Sequence, residues 1–268
     1  MALFTFPSLL FLYNYLPKKL RFLVLVFLTF SIFALQLSGA QSGFIGFVLG
    51  IIVFALTFFK PRSTTLILQV LTFFGTLFTP VLMSVFTYHY KLLPYATLIG
   101  TSLYHRFCIW NFATHKLFEH PIIGWGIGAS KNFPGSKDLI YATTSPEQLQ
   151  YFENLDIDII YWAKTFIINM PLHPHNNALQ VYLELGLIGA IFYALFLASI
   201  FQVFLRVFKD KLSLASANAM AVLTLLIFNM SHSIWHMWLL SWIILSFAML
   251  YMISLYRMRN SETNDLKP

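Results

Sequence analysis

The chain has 268 residues, of which 58% are hydrophobic and only 10% charged, with a mean hydropathy of +0.72. A soluble domain of this length carries about 25% charged residues, so the composition excludes an ordinary water-soluble fold and indicates an integral membrane protein. The formal charge of +7 does not indicate nucleic acid, because the basic residues stand singly beside apolar runs, and the single cysteine, Cys108, excludes an internal disulfide framework.

Residues 1–19 form an apolar N-terminal segment interrupted by Pro7 and Asn14. It is short for a span, which needs about 20 residues, and reads either as an interfacial helix or as the remnant of a lost span. It lacks a basic start and a small-residue cleavage site, so it is not read as a signal peptide. Three apolar stretches then approach spanning length, at about 20–38, 44–59 and 65–88. A long polar segment, 89–174, follows with most of the prolines and mixed charge. Three more apolar stretches lie at about 184–205, 215–231 and 238–256, within a segment 175–257, and a polar tail closes the chain at 258–268. The expected fold is all-α: a polytopic membrane protein of about six transmembrane helices, with one long periplasmic loop between the third and fourth.

Of the 17 lysines and arginines, those outside 89–174 fall on one face of this arrangement and the six within it on the other. Cytoplasmic loops collect positive charge, so both termini are expected in the cytoplasm and the long loop outside, as in a multi-pass protein of a bacterial inner membrane. Trp235, Trp238 and Trp242 cluster at the fifth-to-sixth hairpin, as in an aromatic belt at the outer interface.

Chemistry concentrates where the long loop meets the fourth span, at His173-Pro174-His175-Asn176-Asn177. On a helix beginning near 177, Asn177, Gln180 and Glu184 share one face at i, i+3 and i+7. Gly186 and Gly189 follow with a small-x-x-small spacing that lets another helix approach closely. Glu184 is an ionisable group at or inside the membrane boundary, and such groups are functional candidates by default; the plainer reading leaves it among lipid headgroups. A second constellation runs from His105-Arg106-Phe107-Cys108-Ile109-Trp110 to Pro121-Ile122-Ile123-Gly124-Trp125-Gly126-Ile127-Gly128. Arg106 there suits a phosphate, because a guanidinium stays charged and presents a planar fork of donors; the plainer reading is an anchor that snorkels to headgroups. Two further patterns are discounted as metal sites. Asp156-Ile157-Asp158 lies in an alternating apolar-acidic run, and His232 with His236 sits among tryptophans without an obvious third ligand.

Arg-x-x-Ile-Trp, then Pro-x-x-Gly-x-Gly, then His-Pro-His-Asn-Asn with nine residues between Asn176 and the Gly-x-x-Gly at Gly186 together resemble the O-antigen ligase superfamily, which includes O-antigen polymerases. The aromatic segment Ser233–Trp238 resembles one its members carry after that motif, and the resemblance covers about residues 20–257. It implies a metal-independent membrane glycosyltransferase without a cofactor. The donor is an undecaprenyl-pyrophosphate-linked glycan, and the acceptor is lipid A-core on the periplasmic face. By the same resemblance His175 is the general base and Arg106 holds pyrophosphate; an imidazole titrating near ~6.5 suits a base at neutral pH. Asn176 and Gln180 are candidates to orient the imidazole or the acceptor, and Glu184 to hold a helix partner or tune His175. Gln41, in Ser38-Gly39-Ala40-Gln41-Ser42-Gly43, stands where members carry a second arginine and offers phosphate a hydrogen bond without charge. Members also have about twice as many spans, so this chain resembles their C-terminal half, and a separately encoded N-terminal half is one candidate partner besides glycan and bilayer. Alternatives are a polysaccharide polymerase of the same superfamily, a non-catalytic truncated member, and a transporter of lipid-linked sugars. Glu184 is the only acidic residue within a proposed span, which lowers the last of these.

Overall fold

The computed structural model describes residues 2–39, 41–88, 101–139 and 168–265. Among them are eight α-helices: α1 (Thr5–Tyr15), α2 (Phe22–Leu37), α3 (Gln41–Phe59), α4 (Pro61–Tyr88), α5 (Thr101–Glu119), α6 (Asn177–Val207), α7 (Lys211–Met230) and α8 (Met237–Asp265). Among the described residues six segments are long and apolar enough to cross a membrane: Lys18–Leu37, Gln41–Phe59, Pro61–Val85, Asn177–Val207, Lys211–Met230 and Met237–Arg259. The all-α, six-span expectation is met, and the chain is a multi-pass membrane protein. The long segment 89–174 carries α5. The Asp156-x-Asp158 pattern lies outside the described residues.

The chain divides into two compact units, one of residues 1–72 with 196–268 and one of residues 73–195. In the first, α7 is the most enclosed span and packs along α3. Apolar burial gives little reason for helices to associate in lipid, so close packing of small residues does the work. Gly46 has the Leu223 side chain where a Cβ would stand, and at Gly50 a Cβ would lie 2.7 Å from the Phe6 ring and 3.2 Å from the Ala219 carbonyl. Phe6 therefore fills the notch that Gly50 leaves. α1 accordingly buries Phe6 and Leu10 in the core of this unit. Asn218 of α7, fully buried, donates to Thr57 of α3 (3.2 Å) and Thr65 of α4 (2.7 Å), which gives the amide nitrogen partners within the apolar layer.

In the second unit, α4 contains Pro80, which removes one link of the helical ladder. Within the preceding turn the Leu77 carbonyl accepts a hydrogen bond from the Tyr182 hydroxyl of α6 at 2.7 Å. α6 itself is two helices joined at Gly186, whose φ of 65° and ψ of −165° are far from helical.

Candidate functional site

The loop from Pro121 to Gly128 is built against the break at Gly186. A break inside a helix leaves carbonyls and amides without their i−4 partners, and when buried these must be paired elsewhere. Here the loop satisfies them: Trp125 N–H donates to the Leu183 carbonyl (2.8 Å) and Gly126 N–H to the Glu184 carbonyl (2.9 Å). In return Leu187 N–H donates to the Pro121 carbonyl (2.9 Å) and Ile188 N–H to that of Ile122 (3.3 Å). Contact this close between two backbones requires glycine. A Cβ on Gly124 would stand 2.5 Å from the Glu184 carbonyl carbon, and one on Gly186 would stand 2.2 Å from the Ile122 oxygen.

Gly186 and Gly189 are expected from their spacing to admit a neighbouring helix; their nearest neighbours among the described residues are these. What lies against Gly186 is a loop. Nearest to Gly189 is the Leu185 side chain of its own helix, 2.1 Å from where a Cβ would be. A small-residue helix seam lies at Gly46 and Gly50 in the first unit, against Leu223 and Ala219 of α7.

Glu184, 1% exposed, accepts from Ser130 Oγ (2.6 Å), Gly128 N–H (3.0 Å) and Gln180 Nε2 (3.0 Å). Glu184 thus fastens the glycine loop to α6, and Gln180, one turn earlier on the same helix, donates to the same carboxylate. Asn176 caps α6, its Oδ1 accepting from Leu179 N–H at 3.0 Å, the usual work of asparagine at a helix start. Asn177 is buried beside the Tyr193 phenol, without a hydrogen bond of good geometry. Ser130 was missed by sequence reading; the signal was indirect, since a carboxylate within an apolar run requires donors from elsewhere.

The two principal candidates belong to this second unit. His175 is half-buried and adopts a φ of 51°, a left-handed conformation uncommon outside glycine, though less so for histidine than for most residues. Its N–H donates to His173 Nδ1 at 3.2 Å, and the two rings lie 4.4 Å apart. That bond needs Nδ1 of His173 unprotonated. Arg106 lies on α5, half-buried, with no hydrogen-bond partner for its Nε among the described residues. Burial pushes its guanidinium below its ordinary value. Burial also lowers His105, opposed by a contact of its Nε2 with the Ile168 carbonyl (3.4 Å) and reinforced by the adjacent Arg106 charge. One turn beyond Arg106, Trp110 Nε1 donates to the Pro174 carbonyl at 2.8 Å in a buried contact. The helix that carries Arg106 is therefore tied to the residue preceding His175. A cavity of 130 Å³ in this unit, lined by Ser84, Asn111, Thr114, His115 and Phe118, includes neither of them.

Gln41 falls in the first unit, as the exposed first residue of α3. His232 and His236 lie 5.7 Å apart with Trp238 close to both rings.

The O-antigen ligase family model matches residues 23–194. Among curated proteins, the chain is 28% identical over 232 residues to a protein of Rickettsia conorii named "Putative polysaccharide ligase", a match covering 84% of this chain and 49% of that relative. It is 27% identical over 232 residues to a protein of the same description from Rickettsia typhi (84% and 49%), and 29% identical over 247 residues to one from Rickettsia bellii (90% and 52%). The chain spans about half the length of the curated relatives it matches. No solved structure matches it.

Proposed function

The chain belongs to the O-antigen ligase family, and on that premise we propose that it takes part in metal-independent transfer of a glycan, from an undecaprenyl-pyrophosphate carrier to a lipid A-core acceptor, at the periplasmic face of the inner membrane. His175 takes the proton from an acceptor hydroxyl as that oxygen attacks the anomeric carbon. The bond from this carbon to the pyrophosphate breaks, and the electron pair leaves with the lipid-borne pyrophosphate. Arg106 balances the charge that grows there, an interaction most effective when aimed at the leaving group within a water-poor site. Pyrophosphate is a good leaving group, so the step needs no metal. Asn176, Gln180 and Glu184 hold the cap and the glycine loop in place around the reacting groups.

The observation that carries this reading is the buried hydrogen bond from Trp110 to the Pro174 carbonyl. It joins the helix of a half-buried arginine, whose Nε has no hydrogen-bond partner among the described residues, to the strained turn of the candidate base. A general base contributes about 10²–10⁴-fold, so His175→Ala and Arg106→Ala are each expected to lower transfer at least a hundredfold in membranes containing the full chain. His175→Gly separates chemistry from folding, because it removes the imidazole while relieving the left-handed backbone: transfer is lost and thermal stability kept. Full transfer by a well-expressed His175→Gly or Arg106→Ala protein would overturn the assigned roles. Loss of activity on chelation, restored by added metal, would overturn the metal-independent mechanism.

A further inference from the structure

The loop that closes the break in α6 also presents some of the most exposed apolar side chains of its unit: Ile122 is 61% exposed, Ile123 71% and Ile127 71%, with Phe118 on the last turn of α5 at 66%. Isolated exposed apolar residues are ordinary, whereas a contiguous group marks an interaction surface. This group is continuous with a membrane-spanning face. Ile122 and Ile123 adjoin Gly186, Ile188 N–H bonds the Ile122 carbonyl, and Leu187, Ile188, Phe192 and Leu195 carry exposed apolar side chains along the span that follows.

We propose that Pro121–Gly128 is immersed in the bilayer, with Ile122, Ile123 and Ile127 among the lipid acyl chains beside the second half of α6. Irregular backbone is excluded from hydrocarbon unless its polar groups are satisfied by protein, and this loop meets that condition. Gly124 N–H bonds the His120 carbonyl, Trp125 and Gly126 bond the broken helix, and the Pro121 and Ile122 carbonyls receive its two free amides. A loop resting in water would have no need of this pairing. The neighbouring side chains fit the boundary. Trp125 donates its indole N–H to the Lys116 carbonyl and packs edge-on with His120, while Lys116 and Glu119 form an ion pair at 2.7 Å. An indole beside charged groups is the arrangement found at the headgroup level. Because Glu184 grips Gly128 and Ser130, the immersed loop fixes the depth of the start of α6, and with it His175, relative to any lipid-anchored molecule.

The test uses the full chain in liposomes, in a Cys108→Ser background. Single cysteines replace Ile123, Ile127 and, as a water-exposed reference, Lys131, each labelled with an environment-sensitive fluorophore. Immersion predicts blue-shifted emission at 123 and 127, quenched several-fold more by acyl-chain spin-labelled lipid than by iodide on both sides, with the order reversed at 131. Iodide quenching at 123 and 127 equal to that at 131 would overturn the proposal. So would blue-shifted emission insensitive to both quenchers, which would mean that protein covers the isoleucines. Depth is read without reference to catalysis, so an inserted but inactive protein and an active but uninserted one are told apart.

Discussion

Glu184 and His175 show how a single side chain departs from its neighbours only where something specific compensates. A carboxylate at 1% exposure is retained because three donors converge on it, from Gly128, Ser130 and Gln180. Hydrogen bonds to a charged group are worth about 1.5–3 kcal/mol each, and removing the acceptor strands all three donors. Glu184→Ala is therefore expected to lower the thermal midpoint in detergent markedly more than Ser130→Ala, which leaves two donors on the carboxylate. Equal stability of Glu184→Ala and the parent chain would contradict the fastening role. That a charge in this run would matter was legible in the sequence. Which groups it serves was not, because two of its partners lie 54 and 56 positions away.

At the scale of the element, α6 is where sequence and structure differ most. The motif residues correctly mark a helix starting at Asn177, since a preceding asparagine is a favoured cap. Hydropathy alone reads the same run as one unbroken span. The break at Gly186 is a property of two backbones in contact, invisible to any periodicity along one of them. With φ 65° and ψ −165°, Gly186 occupies a region essentially reserved for glycine, and a side chain there costs about 1–3 kcal/mol before any contact is considered. Its Cβ would also meet the Ile122 carbonyl at 2.2 Å. Gly186→Ala is thus expected to destabilise the protein and release the loop, read as a lower thermal midpoint together with faster proteolysis between 121 and 130. A Gly186→Ala chain as stable and protease-resistant as its parent would mean that the loop does not depend on the break.

For the molecule as a whole, the distribution of lysine and arginine predicts that both termini are cytoplasmic and that segment 89–174 lies outside. Reporter fusions give the expected outcome a direct measure. Alkaline phosphatase inserted after Lys131 should be active, and a fluorescent protein fused to Pro268 should fluoresce. The inverse pattern would reverse the orientation and move His175 to the cytoplasmic face, where the proposed transfer could not occur.

The six spans and the all-α class were determined by the sequence itself, because transfer into hydrocarbon is a sum over consecutive residues and can be added up along the chain. The presence of His175, Arg106 and the glycines could likewise be read in order. The tertiary structure alone decided that Glu184 holds a loop, that Gly186 stands at a break in its helix, and that α1 is buried by Phe6 against Gly50. It also decided that Trp110 reaches Pro174, 64 positions distant. Each of these depends on a close approach between segments far apart in the chain, where the partner is chosen by the folded backbone and leaves no periodic trace in either segment.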